Sequence, residues 1–169
     1  MFRLLAAALL AAAALPGAAG AAVPAPKVGV TSFEQVAKPF PYDENANADQ
    51  AVAAAKARAI RSHKRLLIDL GGNWCLDCRL LAGTMELPAV KAFVARHYEV
   101  VTVDVGRFTK NAQIPAHYGI TGRLAGVPAV LIVDPRTDRL VNKGHETALS
   151  DARSMNPQAL ADWLARYAA

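Results

Sequence analysis

The chain has 169 residues and a mass of 17.9 kDa, a length that fits one domain. Hydrophobic residues make up 53% and charged residues 20%, a globular balance that excludes wholesale disorder. The net charge is +5, yet the basic residues never form a block of five, so no nucleic-acid partner is expected. Two cysteines, Cys75 and Cys78, are too few for a disulfide-stapled miniprotein.

Residues 1–22 read as a secretory signal peptide. Arg3 gives a short positive start, Leu4 to Leu15 is an unbroken apolar run, and Pro16-Gly17 breaks it. The small residues Ala18 to Ala22 then offer Ala-x-Ala-like cleavage sites, so the mature chain is expected to begin near Ala21 to Val23. The run holds twelve apolar residues, fewer than the roughly 20 that span a bilayer. A periplasmic location follows, where disulfides persist; an uncleaved anchor holding the chain to the membrane is the alternative.

Residues 23–46, with Pro24, Pro26, Pro39 and Pro41, read as an extended lead-in or edge strand. Residues 47–169 are expected to form the domain proper. Asn47 followed by Gln50 resembles a capping box, and the helix it opens should run to about Ser62. Val52, Ala55, Ala59 and Ile60 are placed on its buried side. Leu66 to Leu70 is a short apolar strand interrupted by Asp69 and ended by Gly71-Gly72. Helices are expected from about Cys75 to Ala82 and from Pro88, where Val90, Phe93 and Val94 share helical spacing. Val100 to Val105 reads as a buried strand, Asn111 to Tyr118 as a short helix, and Ala129 to Val133 as a β-branched strand. Pro135 to Asp138 turns into a strand at Arg139–Lys143. Asn156-Pro157 caps and starts a final helix with Leu160, Leu164 and Tyr167 on one face. The alternation argues an α/β fold with helices on both faces of a central sheet.

Cys75 and Cys78 carry the chemistry. At a helix N-terminus, Cys75 feels the partial positive charge of the first turn, which lowers a thiol pKa and supplies an attacking thiolate. Cys78, about one turn on, is close enough to bond back and release the product. Cys75 should be exposed and Cys78 shielded. An inert disulfide and a zinc half-site are the alternatives, but zinc needs about four ligands. His63, His97, His117 and His145 are widely separated, so no metal is expected. A carboxylate in an apolar strand is costly unless used or paired, and burial would raise the Asp69 pKa toward the working range. An edge-strand acid facing solvent is its bland alternative. Trp74 either shields the motif or is an ordinary core tryptophan. Asp77, between the cysteines, either raises the Cys75 pKa or is a solvated helix-start acid. Arg107 and Lys110, flanking Phe108, read as a solvated loop.

Leu67-Ile68-Asp69-Leu70-Gly71-Gly72-Asn73-Trp74-Cys75 resembles the strand and active-site approach of the thioredoxin superfamily. Ala116-His117-Tyr118-Gly119-Ile120, followed by Gly126-Val127-Pro128-Ala129, resembles its cis-proline region. The match runs from about Lys64 to Tyr167 and is similar to the C-terminal domain of the bacterial transmembrane thiol:disulfide interchange protein. The resemblance implies a monomeric thioredoxin fold, a mixed sheet flanked by helices, here with an extra N-terminal helix. It implies that Cys75 attacks, Cys78 resolves and Asp69 accepts the Cys78 proton. Trp74, Val127 and Pro128 would seat an extended substrate segment. No cofactor is implied; the partners are protein disulfides and a thiol-bearing electron donor, for which a membrane reductant conductor is a candidate. Leu76-Asp77 replaces the Gly-Pro pair of thioredoxin and would tune the couple; Thr121 to Ala125 is inserted, and Val100 stands where thioredoxin has lysine. Reduction or isomerisation of disulfides is the expected direction. A disulfide-donating oxidant and a non-catalytic binding module are the alternatives.

Overall fold

Strand β1, Arg65–Gly71, is the axis of the protein. In this computed structural model, which describes residues 23–169, the leader expected at Met1–Ala22 lies outside the described residues. β1 pairs in parallel with β2 (Tyr98–Asp104) and antiparallel with β3 (Ala129–Asp134), β3 pairs antiparallel with the short β4 (Arg139–Leu140), and the order across the sheet is β2-β1-β3-β4. An inner strand buried on both faces needs side chains that are apolar on both, and Leu66 to Leu70 supplies them except at Asp69. Leu66, Ile68 and Leu70 pack with Ala55 and Ala59 of helix α1 (Ala48–Ser62) and with Val101 and Val103 of β2. Leu67 packs on the opposite side, among Leu81, Val90, Phe93, Leu160 and Leu164. Those residues come from α2 (Leu76–Met85), α3 (Pro88–His97) and α5 (Pro157–Arg166). The mixed four-stranded sheet flanked by helices is the expected fold.

Helix α1 begins where Asn47 accepts a hydrogen bond from the Gln50 N–H, and it ends where His63 turns left-handed at φ 56°. Ile60 was expected on its buried side but is 40% exposed. Ala55 and Ala59, four residues apart, seat the helix closely on the sheet, and the next residue is turned about 100° away. Helix α4, Gln113–His117, is shorter than expected because Asn111 takes a positive φ of 55° before it. The hairpin strand is also shorter: β4 is only Arg139–Leu140, against the Arg139–Lys143 of the sequence reading. Beyond it a main-chain bond still runs from the Val141 N–H to the Ile132 carbonyl, and the Asn142 side chain then takes over, with Oδ1 accepting from Ile132 N–H and Nδ2 donating to the Val130 carbonyl, each at 2.8 Å. The lead-in holds a 3-10 turn at Phe33–Gln35 and then crosses α2 and the sheet edge as an extended strap.

Candidate active site

Cys75 is the N-cap of α2 rather than its first residue, and it forms a disulfide with Cys78 across a Cα separation of 5.3 Å. The Cys78 backbone N–H donates to the Cys75 sulfur at 3.1 Å, so a helix-terminus donor is already aimed at the atom that would carry thiolate charge. The expectation of an exposed Cys75 is corrected: the residue is 5% exposed and Cys78 fully buried. The Val127 carbonyl covers the Cys75 sulfur at 3.4 Å, ahead of a Val127–Pro128 peptide bond that is cis.

Asp69 lies opposite Thr102 of β2 and Val130 of β3, which excludes the solvent-facing edge acid. It is completely buried, and desolvation pushes its carboxyl up to about 7, with a hydrogen bond from Tyr42 acting in the opposite sense. The Tyr42 hydroxyl donates to Oδ1 at 2.9 Å, while Oδ2 receives no hydrogen bond from any described residue. Burial first, and the neighbouring Asp69 second, hold the Tyr42 hydroxyl well above its ordinary pKa. Nothing in the sequence flagged Tyr42, which stands in the proline-rich lead-in without a periodic neighbour.

Asp77 is neither solvated nor an uncompensated charge beside Cys75. It is 4% exposed and held by Arg153, whose Nε lies 3.1 Å from both carboxylate oxygens and whose Nη2 lies 2.5 Å from Oδ2. The Arg153 backbone N–H adds a bond to Oδ1 at 2.9 Å. Burying an acid next to a redox pair is tolerable because a guanidinium meets it with both oxygens satisfied. Leu76, its neighbour in the motif, is exposed. The sequence held one signal for Arg153, the acid itself, but not the position of its base.

Trp74 is no core residue. It is 43% exposed, and its indole N–H donates to the Gly106 carbonyl at 2.7 Å. The loop expected to be solvated packs against it: the Phe108 ring lies 6.0 Å away, and the Arg107 guanidinium sits 4.9 Å from the Trp74 centroid. Lys110 pairs with the buried Asp104 at 2.6 Å. Among the described residues no group of three or more His, Cys, Asp and Glu could hold a metal ion.

A family model described as thioredoxin-like matches residues 47–135. The chain belongs to the thioredoxin-like family. The crystal structure of a disulphide isomerase from Xylella fastidiosa Temecula1 is similar at 36% identity, with a TM-score of 0.68 over 75% of this chain and 95% of that one. The search of curated proteins found no match. With a thioredoxin-like fold and its Cys-x-x-Cys pair joined at the N-terminus of α2, this thioredoxin-like chain is a thiol–disulfide oxidoreductase.

Proposed function

We propose that the protein reduces or isomerises protein disulfides in the cell envelope. The observation that carries the direction is Asp69, a buried acid that burial pushes up to about 7 and whose hydrogen-bond partner Tyr42 lies against Cys78. Strong oxidants of this chemistry owe their force to a stabilised reduced form with a low thiol pKa. A buried carboxyl linked through Tyr42 to the surroundings of the resolving cysteine opposes such stabilisation, which supports the reducing direction. In the proposed cycle the Cys75 thiolate attacks a substrate disulfide, one substrate sulfur leaves, and a mixed disulfide remains. Cys78 then passes its proton to Asp69 and attacks the Cys75 sulfur, releasing the second substrate thiolate. Trp74, Val127 and Pro128 form the rim on which an extended substrate segment would lie, and the exposed Leu76 adds an apolar contact. No cofactor enters; the electrons come from a thiol-bearing protein donor, with a membrane reductant conductor as a candidate. The leader pattern of Met1–Ala22 supports the envelope location.

Trapping tests the reading. Cys78→Ser should accumulate mixed disulfides with its substrates on non-reducing gels after acid quenching and alkylation, whereas Cys75→Ser should trap few. Adducts with Cys75→Ser alone would reverse the two roles, and adducts with neither would leave a binding module. Equilibration with glutathione should place the couple nearer about −270 mV than about −120 mV, and a value near the latter would make it an oxidant.

A further inference from the structure

The lead-in is anchored where the redox chemistry occurs. The Arg79 guanidinium, on α2 just past Cys78, donates to the carbonyls of Lys38 at 2.6 Å and Pro39 at 3.1 Å. Thr102 Oγ1 donates to the Pro41 carbonyl at 3.0 Å. Asn73, two residues before Cys75, bonds the main chain of Tyr42 in both directions, at 3.1 and 2.8 Å. So fixed, the strap drives the Tyr42 ring under Gly71. A Cβ on Gly71 would lie 2.8 Å from the Cys78 sulfur and closer still to the Tyr42 hydroxyl, so hydroxyl and sulfur crowd one point. The family match begins at residue 47, after the strap has ended.

We propose that Tyr42 is a positioning residue of the redox site: its hydroxyl fixes the Asp69 carboxyl through Oδ1 and leaves Oδ2 to take the Cys78 proton. The inference rests on the exchange reading above. In the mixed disulfide, the Cys78 S–H bond breaks and its proton goes to Oδ2. The Cys78 sulfur then bonds to Cys75 as the bond from Cys75 to the substrate sulfur breaks, and the substrate leaves as a thiolate that takes a proton from solvent. Two electrons pass from the dithiol to the substrate. A tyrosine suits this post because burial keeps its hydroxyl protonated throughout. It donates to Oδ1 whether Oδ2 is bare or protonated, and it adds no charge beside the thiols. Few other charges face the pair. α2 contributes Cys78, β2 the neutral Thr102 and the more distant Asp104, and β3 the apolar Val130.

Tyr42→Phe keeps the ring and removes the donor. The pH midpoint of the resolving step, read in single turnovers, should rise by about one unit, with about a tenfold slower step below it. The initial attack should be unchanged, and in an Asp69→Asn background the substitution should have no further effect. Independently of activity, the Asp69 carboxyl followed by 13C NMR in the oxidised protein should titrate higher in Tyr42→Phe. It should titrate lower when 3-fluorotyrosine, a more acidic donor, replaces tyrosine. The second arm needs no variant that alters packing, should Tyr42→Phe fail to fold. An Asp69 titration that moves in neither protein, or a Tyr42→Phe defect of equal size without Asp69, overturns the inference. A parent protein that exchanges no disulfides overturns the proposed function instead, and the carboxyl titration still decides whether Tyr42 governs Asp69.

Discussion

At neutral pH the Asp69 carboxyl is poised between its two forms, because its folded pKa is raised from 3.8 to about 7 by burial. A folded acid that holds its proton more tightly than the unfolded chain loses stability as pH rises from about 4 through about 7. The difference is on the order of 4 kcal/mol. Asp69→Asn should therefore flatten the pH dependence of urea unfolding across that window and leave the oxidised protein more stable than the parent at pH 8. An unchanged slope would show that the carboxyl is not desolvated. Arg153→Gln should act oppositely, destabilising the fold by about 2 kcal/mol at pH 7, since it leaves the buried Asp77 charge unpaired. It should also raise the Cys75 thiol pKa, read from thiolate absorbance, and Asp77→Asn in the same chain should reverse both effects. Asp69 was legible in the sequence because a lone acid in an apolar strand is conspicuous. Its partner Tyr42 and the partner of Asp77 were not, because each pair joins segments far apart in the chain, 27 and 76 residues, with no periodicity to link them.

Elements were legible where local chemistry specifies them. Asn47, Pro88 and Asn156-Pro157 mark helix starts through capping and a fixed φ, and all three helices begin there. Boundaries moved where something outside the local pattern decides them: at β4, where the Asn142 side chain bonds β3, and at α4, where Asn111 takes a positive φ and its side chain bonds the Asp104 carbonyl. Contact between α2 and the strap shows the same competition in energetic form. Alanine is favoured over glycine inside a helix by about 1 kcal/mol. At Gly83, however, a Cβ would fall on the Ala37 carbonyl, a main-chain atom that cannot yield without moving the strap. Gly83→Ala should therefore destabilise the protein, by about 1–3 kcal/mol, and make the Ala37–Pro41 segment more susceptible to limited proteolysis. A gain in thermal stability would mean that helix propensity outweighs the contact.

Across the whole molecule, one sheet separates two cores, and the second depends on the C-terminus. Leu160, Trp163 and Leu164 of α5 fill the face that Leu67, Val130 and Ile132 present. Each such side chain is worth about 1.5–3 kcal/mol when buried, against a typical total of about 5–15 kcal/mol. A chain cut to residues 47–135, the extent of the family match, should thus lack a cooperative urea transition, while residues 23–169 keep one. The lead-in was the least legible part, since it has no periodicity and the bonds that hold it are made mostly by its main-chain atoms. Yet the fit of Tyr42 beneath Gly71 links such distant positions in descent. A lineage that acquires a side chain at 71 must already have given up the ring at 42, and one that gives up the ring opens a space beside its resolving cysteine. The glycine and the tyrosine are expected to be inherited together or lost together.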